Sequence, residues 1–320
     1  MIGPEPEPEP IAGGGIPQTR REARHARRRR VSGINIVASA VLLVGSSAVL
    51  YPSAADWFSD RAHATQVSSY VSDVGSADDT ALQQAMDDAH DYNDLIPDGP
   101  LRDPFSLNSD GSAQSLEKGR AEYESLLRIG ASDAIARVRI PQIDVDLPIY
   151  HGTDEEVLDK GVGHLYGSSL PVGGAGTHSV LSGHSGVPSS TLFSDMQHLA
   201  VGDRFFVDVA GEVLVYKIDK ILTVGPSDGE PLRRVAGRDY VTLLTCTPIG
   251  VNTHRLLIRG ERVSIDSDDA TGAPATSSDA DPGAPWWVLG IAGAIAVSVA
   301  VAWPRRGVFV LPSPSRIISS

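Results

Sequence analysis

The chain has 320 residues, room for one or two domains. Against 27 Lys+Arg it carries 40 Asp+Glu, a formal net charge of −13, so the chain as a whole is acidic and its basic residues are concentrated rather than spread. A single cysteine excludes a disulfide within the chain, and nine scattered histidines without zinc-like spacing give no reason to expect a metal or other cofactor.

Residues 1–30 read as a disordered, basic tail: "PEPEPEP" and "GGG" are low-complexity, and "RREARHARRRR" packs arginines into one short stretch. Taken alone, such a block reads as a nucleic-acid arm. It stands directly before "VSGINIVASAVLLVGSSAVLY", residues 31–51, which has no charge and is long enough to cross a bilayer. Arginines beside such a span mark its cytoplasmic side, so the expected partner is a membrane and not a nucleic acid. The apolar run is too long for a secretory signal core, and an uncleaved anchor is expected.

Residues 52–134 read as a helical region. In "DDTALQQAMDDAHDYNDLI", Leu82, Met86, Ala89 and Tyr92 recur at helical spacing. "AQSLEKGRAEYESLLRIG" reads as a second helix closed by Gly130. Between them, residues 97–112 are rich in turn formers and must be a loop.

From 135 to 265 the pattern changes to short, β-branched, alternating segments separated by Gly, Pro and Asp. Several strands at this spacing imply a mainly β domain, a barrel or a sandwich. Residues 266–284 form an acidic small-residue linker. Residues 285–303 hold a second apolar run with tryptophans at both ends, followed by Pro304, Arg305 and Arg306. That pattern predicts a second transmembrane helix with a cytoplasmic tail over 304–320. The expected topology is both termini inside and the middle region outside the cell.

The chemistry concentrates in "VTLLTCTPIGVNTHRLLIRG", residues 241–260. Cys246 ends one predicted strand and Arg255 starts the next, across a loop holding Pro248 and Gly250. If these strands pair as a hairpin, a guanidinium stands beside the thiol, where it favours thiolate and can hold a developing oxyanion. Adjacent strand residues face opposite ways, which sets His254 aside. The acid needed to protonate a leaving amine is then His184 of "SGHSG", flanked by Gly183 and Gly186, which permit close approach. The plain alternatives are a packed cysteine, a surface arginine and a loop histidine.

"TLLTC" followed by Arg255, with "SGH" upstream, resembles the sortases, a family of bacterial cysteine transpeptidases. The likeness covers roughly residues 50–265, and its wording is close to the pilin-polymerising class C enzymes, which typically carry an aromatic where Ile249 stands. It implies an eight-stranded sortase-type β-barrel with N-terminal helices, flanked by two transmembrane helices. It also implies a catalytic triad of Cys246, His184 and Arg255, with Thr245 and Gly183 in support. "LRDPFSL" matches the class C lid motif through Asp103, Pro104 and Phe105. The implied reaction cleaves an LPxTG-like sorting signal between Thr and Gly through a thioester, and joins pilin subunits to a lysine amine. Attachment of surface proteins to a peptidoglycan amine is the second enzymatic reading, and a non-enzymatic membrane-anchored binding module the third. The family places such a protein in a Gram-positive envelope.

Overall fold

The computed structural model describes residues 33–96, 119–187, 190–264 and 283–303. The first apolar run does not stop at Tyr51. It continues through Pro52 as one helix, α1, Gly33–Ser76. The two halves of α1 have different surfaces. The first is apolar and exposed, with Ile36, Val41 and Val44 open. In the second, His63, Val67 and Tyr70 are buried at i, i+4 and i+7, one face of the helix. Tyr70 donates its hydroxyl to Ile135 O (3.4 Å) and accepts from Ala210 N (3.0 Å). Asp73 accepts from the backbone amides of Ala131 (3.1 Å) and Ser132 (2.8 Å).

Helix α2, Asp79–Leu95, lies where its spacing predicts. Asp78 caps it through Thr80 N (2.8 Å). Met86 and Ala89 are buried, with Leu82 and Tyr92 packed against the same core. Arg234 donates to Asn93 O and Ile96 O, satisfying carbonyls that a helix end leaves open. Of the second predicted helix, residues 113–118 lie outside the described residues, and the described part ends earlier than expected. Helix α3 covers Arg120–Ser125 and Gly130 does not close it. Leu126 turns extended and Leu127 adopts φ 54°, because Leu127 inserts into the core instead of continuing the helix.

Eight strands follow: β1 Ala136–Ile140, β2 Val145–His151, β3 Val162–His164, β4 Thr177–Ser182, β5 Arg204–Val209, β6 Glu212–Val224, β7 Asp239–Thr247 and β8 His254–Val263. They close into a barrel in the order β1-β2-β3-β4-β7-β8-β6-β5, which removes every sheet edge. A barrel, not a sandwich, is therefore the outcome. A short helix α4, Glu155–Leu158, links β2 to β3.

The interior is apolar, with Val138, Ile149, Leu181, Phe205, Val207 and Leu243 fully buried. On the opposite face of β1, Arg137 and Arg139 are also buried. Arg139 makes a two-pronged pair with Asp208 (2.7 and 2.8 Å), and Arg137 does the same with Asp146. Planar guanidinium–carboxylate pairing of this kind satisfies charges that burial otherwise penalises.

Helix α5, Trp287–Ala302, is apolar but 16 residues long; α1 is the one helix among the described residues long and apolar enough to cross a membrane. The two helices pack together. Ser39 Oγ donates to Ser298 O (2.9 Å). A Cβ at Gly290 would come within 2.9 Å of Leu50 Cδ1, so glycine lets the Leu50 side chain lie close against α5. Trp57, Phe58 and Trp287 cluster at one end, with ring centroids 5.1–6.3 Å apart.

Candidate active site

Strands β7 and β8 pair antiparallel with Cys246 opposite Arg255 and Thr247 opposite His254. Directly opposed residues share a face and have Cβ atoms about 5 Å apart. The hairpin expected from the sequence is thus present, and its register sets Arg255 beside the thiol. His254 falls on the other face, is exposed, and meets the Thr253 hydroxyl through Nδ1 (2.9 Å).

Cys246 is 8% exposed and Arg255 7%. Arg255 Nη1 donates to Asn252 O (3.0 Å) and His254 O (3.1 Å), which fixes one edge of the guanidinium against the loop. Asn252 (φ 59°) and Gly250 (φ 78°) take left-handed conformations there, and these shape the turn that presents the carbonyls.

Strand β4 runs parallel to β7 with Ser182 opposite Leu244. The pairing continues past the strand end: Gly183 N donates to Leu244 O (3.1 Å), and Thr245 Oγ1 donates to Gly183 O (2.7 Å). Ser185 Oγ donates to Cys246 O (2.6 Å). These bonds bracket His184 and hold it at the strand end neighbouring Cys246. Thr245 and Gly183 are thus bonded to each other on either side of the Cys246 and His184 strand ends. Gly183 is required by space, since a Cβ would stand 2.7 Å from the Phe193 ring. Phe193 N in turn donates to His184 O (3.0 Å). Gly186, at φ 70°, lies against Ile249, and a Cβ there would be 2.3 Å from Ile249 Cγ2.

His184 is partly exposed, and its Nε2 lies 3.9 Å from Asp159 Oδ1, an ion-pair distance when the imidazole is protonated. The sequence offered no reason to link these residues. The link is β3, whose Gly163 pairs with Ser182 and so carries the preceding Asp159 to the end of β4. A strand of three residues has too little length to show a period. Ser185, Phe193 and Asn252 were likewise missed. Their roles are backbone contacts, and a sequence pattern does not mark those.

Among the described residues no group of three or more His, Cys, Asp or Glu is arranged to hold a metal ion. The lid residues Asp103, Pro104 and Phe105 lie outside the described residues, as do the arginines after the second apolar run and those of the N-terminal tail.

Comparison with known proteins agrees with this geometry. A family model described as "Sortase domain" matches residues 138–263. Sortase A of Streptococcus agalactiae serotype III (strain NEM316) is 27% identical over 160 residues, 49% of this chain and 62% of that protein, so the chain matches about three-fifths of its length. Among solved structures, sortase C-1 from Actinomyces oris is 43% identical with a TM-score of 0.55, over 58% of this chain and 99% of that one. Sortase C-1 from Streptococcus pneumoniae is 42% identical with a TM-score of 0.57, over 63% of this chain and all of that one (100%).

Proposed function

The chain belongs to the sortase family, with class C sortases among its structural neighbours, and on that premise we propose that it polymerises pilin-like subunits as a membrane-anchored cysteine transpeptidase. The observation that carries the reading is the register pairing of Cys246 with Arg255, with His184 held at the adjacent strand end.

The Cys246 thiolate attacks the Thr carbonyl carbon of an LPxTG-like sorting signal. Arg255 stabilises the oxyanion that forms, with one edge of its guanidinium already fixed by Asn252 O and His254 O. As the C–N bond breaks, imidazolium His184 gives its proton to the departing glycine amine. The acyl group stays on sulfur as a thioester. A lysine ε-amine of the next subunit then attacks, His184 takes the amine proton, and the C–S bond breaks to return thiolate. The product is an isopeptide bond.

The apolar half of α1 crosses the bilayer from a cytoplasmic N-terminus, and α5, shorter at 16 residues, packs against it there. The barrel therefore stands on the outer surface of a Gram-positive cell. Anchoring holds enzyme and membrane-borne substrate in one plane, which raises their effective concentration.

Incubating the full chain with a sorting-signal protein should yield a Cys246 thioester detectable by mass spectrometry. Cys246→Ala should abolish it. A second protein supplying lysine should then release an isopeptide-linked product. Release by a peptidoglycan stem peptide instead would favour surface-protein attachment, and isopeptide-linked product still formed by the alanine variant would sink the enzymatic reading.

The class C reading assigns Asp103, Pro104 and Phe105, outside the described residues, the role of a lid. On that basis Asp103→Ala with Phe105→Ala should speed labelling of Cys246 by a small thiol reagent. An unchanged rate would reject gating.

A further inference from the structure

Strand directions fix which end of the barrel carries the site. Strand β1 is antiparallel to β2, β2 parallel to β3, and β3 antiparallel to β4, so β1 and β4 run the same way; β4 is parallel to β7. The ends of β1, β4 and β7 therefore share one end of the barrel, where His184 and Cys246 lie. Strand β5 is antiparallel to β1, so the turn before it, with Val201, is at that end too.

Helix α1 crosses the barrel from this end to the other. Its early residues hold the loop that follows His184: Thr191 Oγ1 donates to Asp56 Oδ1 (2.9 Å) and Ser59 Oγ to Ser190 Oγ (2.9 Å). Its late residues, Tyr70 and Asp73, hold the chain entering β1. Asp56 is five residues beyond Tyr51, about 8 Å along a helix. The apolar half of α1 therefore leaves the barrel at the catalytic end, not at the far end.

The surface at this end suits lipid. Residues 247–253, the β7–β8 turn, carry no charged side chain. Ile249 is 46% exposed, Val251 65%, and Val201, on the turn before β5 at the same end, 64%. Ile249 also touches Gly186, in the loop that α1 holds, so the apolar tip and the emerging span are two contacts apart.

We infer that the catalytic end of the barrel is seated on the outer leaflet of the same bilayer that α1 crosses, with Val251 and Ile249 in the headgroup region. The site mouth then opens along the membrane surface, where a substrate still held by its own span presents its sorting signal. This inference rests on the membrane reading given under Proposed function, and the test separates the two.

The full chain with Cys246→Ala is reconstituted in phosphatidylcholine nanodiscs, a zwitterionic lipid chosen because Asp228 and Glu230 follow β6 at this same end. Single cysteines replace Val44, Val251, Val201 or Val235, each labelled with an environment-sensitive nitrobenzoxadiazole dye. Val235 precedes β7 and marks the opposite end of the barrel. All four are exposed or in the apolar span, so the fold is retained. Spin-labelled lipid should quench the dye at Val44 strongly, at Val251 and Val201 at least about threefold more than at Val235, and at Val235 little. Quenching at Val44 with equal, weak quenching at Val251 and Val235 would overturn the seating while leaving the anchor intact. Loss of quenching at Val44 would reject the anchor and the seating together. Burial of Val251 by a second copy or by protein substrate would show as a blue-shifted dye insensitive to lipid quencher, which also overturns the proposal.

Discussion

Replacing Arg255 with alanine is expected to lower kcat/KM for cleavage of a sorting-signal peptide by about 10²–10³-fold, the loss typical when one oxyanion donor is removed. Arg255→Lys keeps the charge but loses the planar fork, and with it the donation from Nη1 to Asn252 O and His254 O that holds the group in place. The lysine variant should therefore recover less than about tenfold of the loss if geometry dominates, as expected for a preorganised site. Full recovery by lysine would mean that charge alone matters, through thiolate formation. Single-turnover release of the glycine-bearing fragment measures this, and an alanine variant within about tenfold of the parent would refute the oxyanion role assigned to Arg255 on the same scale.

Acid is expected to unfold the barrel well above the usual carboxylate range, because three histidines are buried in their neutral form. Burial pushes His151 down to about 3, and His164 and His178 down to about 4. In His164, Nε2–H donates to Ser169 O (2.8 Å) while Nδ1 faces the Tyr123 hydroxyl (2.8 Å). In His178, Nδ1–H donates to Arg233 O (2.9 Å) and Nε2 faces the Thr242 hydroxyl (2.7 Å). Both rings are satisfied as neutral tautomers.

The sign follows from the folded values lying below the ordinary value of 6.5. Between those limits the unfolded chain binds protons that the folded chain refuses, so stability is present above that value and falls as pH drops. Each group loses about 1.4 kcal/mol per pH unit, or about 2 kcal/mol from about pH 7 to about pH 5. Three together lose about 6 kcal/mol, comparable with the whole stability of a domain. Asp239, raised by burial, acts in the opposite direction. Tyrosine near-UV dichroism in urea titrations reports this, since the four tryptophans lie within or beside α1 and α5 and none is in a barrel strand. His178→Asn should remove about a third of the pH slope. Equal stability at both pH values would contradict the buried neutral assignment.

Legibility in the sequence followed locality. The β7–β8 hairpin is short-range, so strand, loop and strand could be read from consecutive residues, and the facing of Cys246, Arg255 and His254 followed from a period of two. Finding His184 needed chemistry as well, because its proximity depends on a parallel pairing that no local pattern announces. Alternation reads Arg137 and Arg139 as solvent-facing; they do leave the core face, yet are buried and paired with Asp146 and Asp208. Helical periodicity was right for α2 and too generous for α3, where the demand of the core for Leu127 outweighed local propensity. The continuation of α1 past Tyr51 was missed because hydropathy marks where a membrane ends, not where a helix does.

The bonds made by α1 also order the assembly of the molecule in time. Its first half is the first of the described elements to be made, yet Tyr70 must wait for Ala210, 140 residues later, and Ser39 for Ser298, 259 residues later. With synthesis running from the N-terminus, the buried face of α1 meets Ile135 first and is completed only when β5 has been made, and the helix pair forms after β8. The finished protein is thus closed at two successive seams, first between α1 and the barrel and last between α1 and α5.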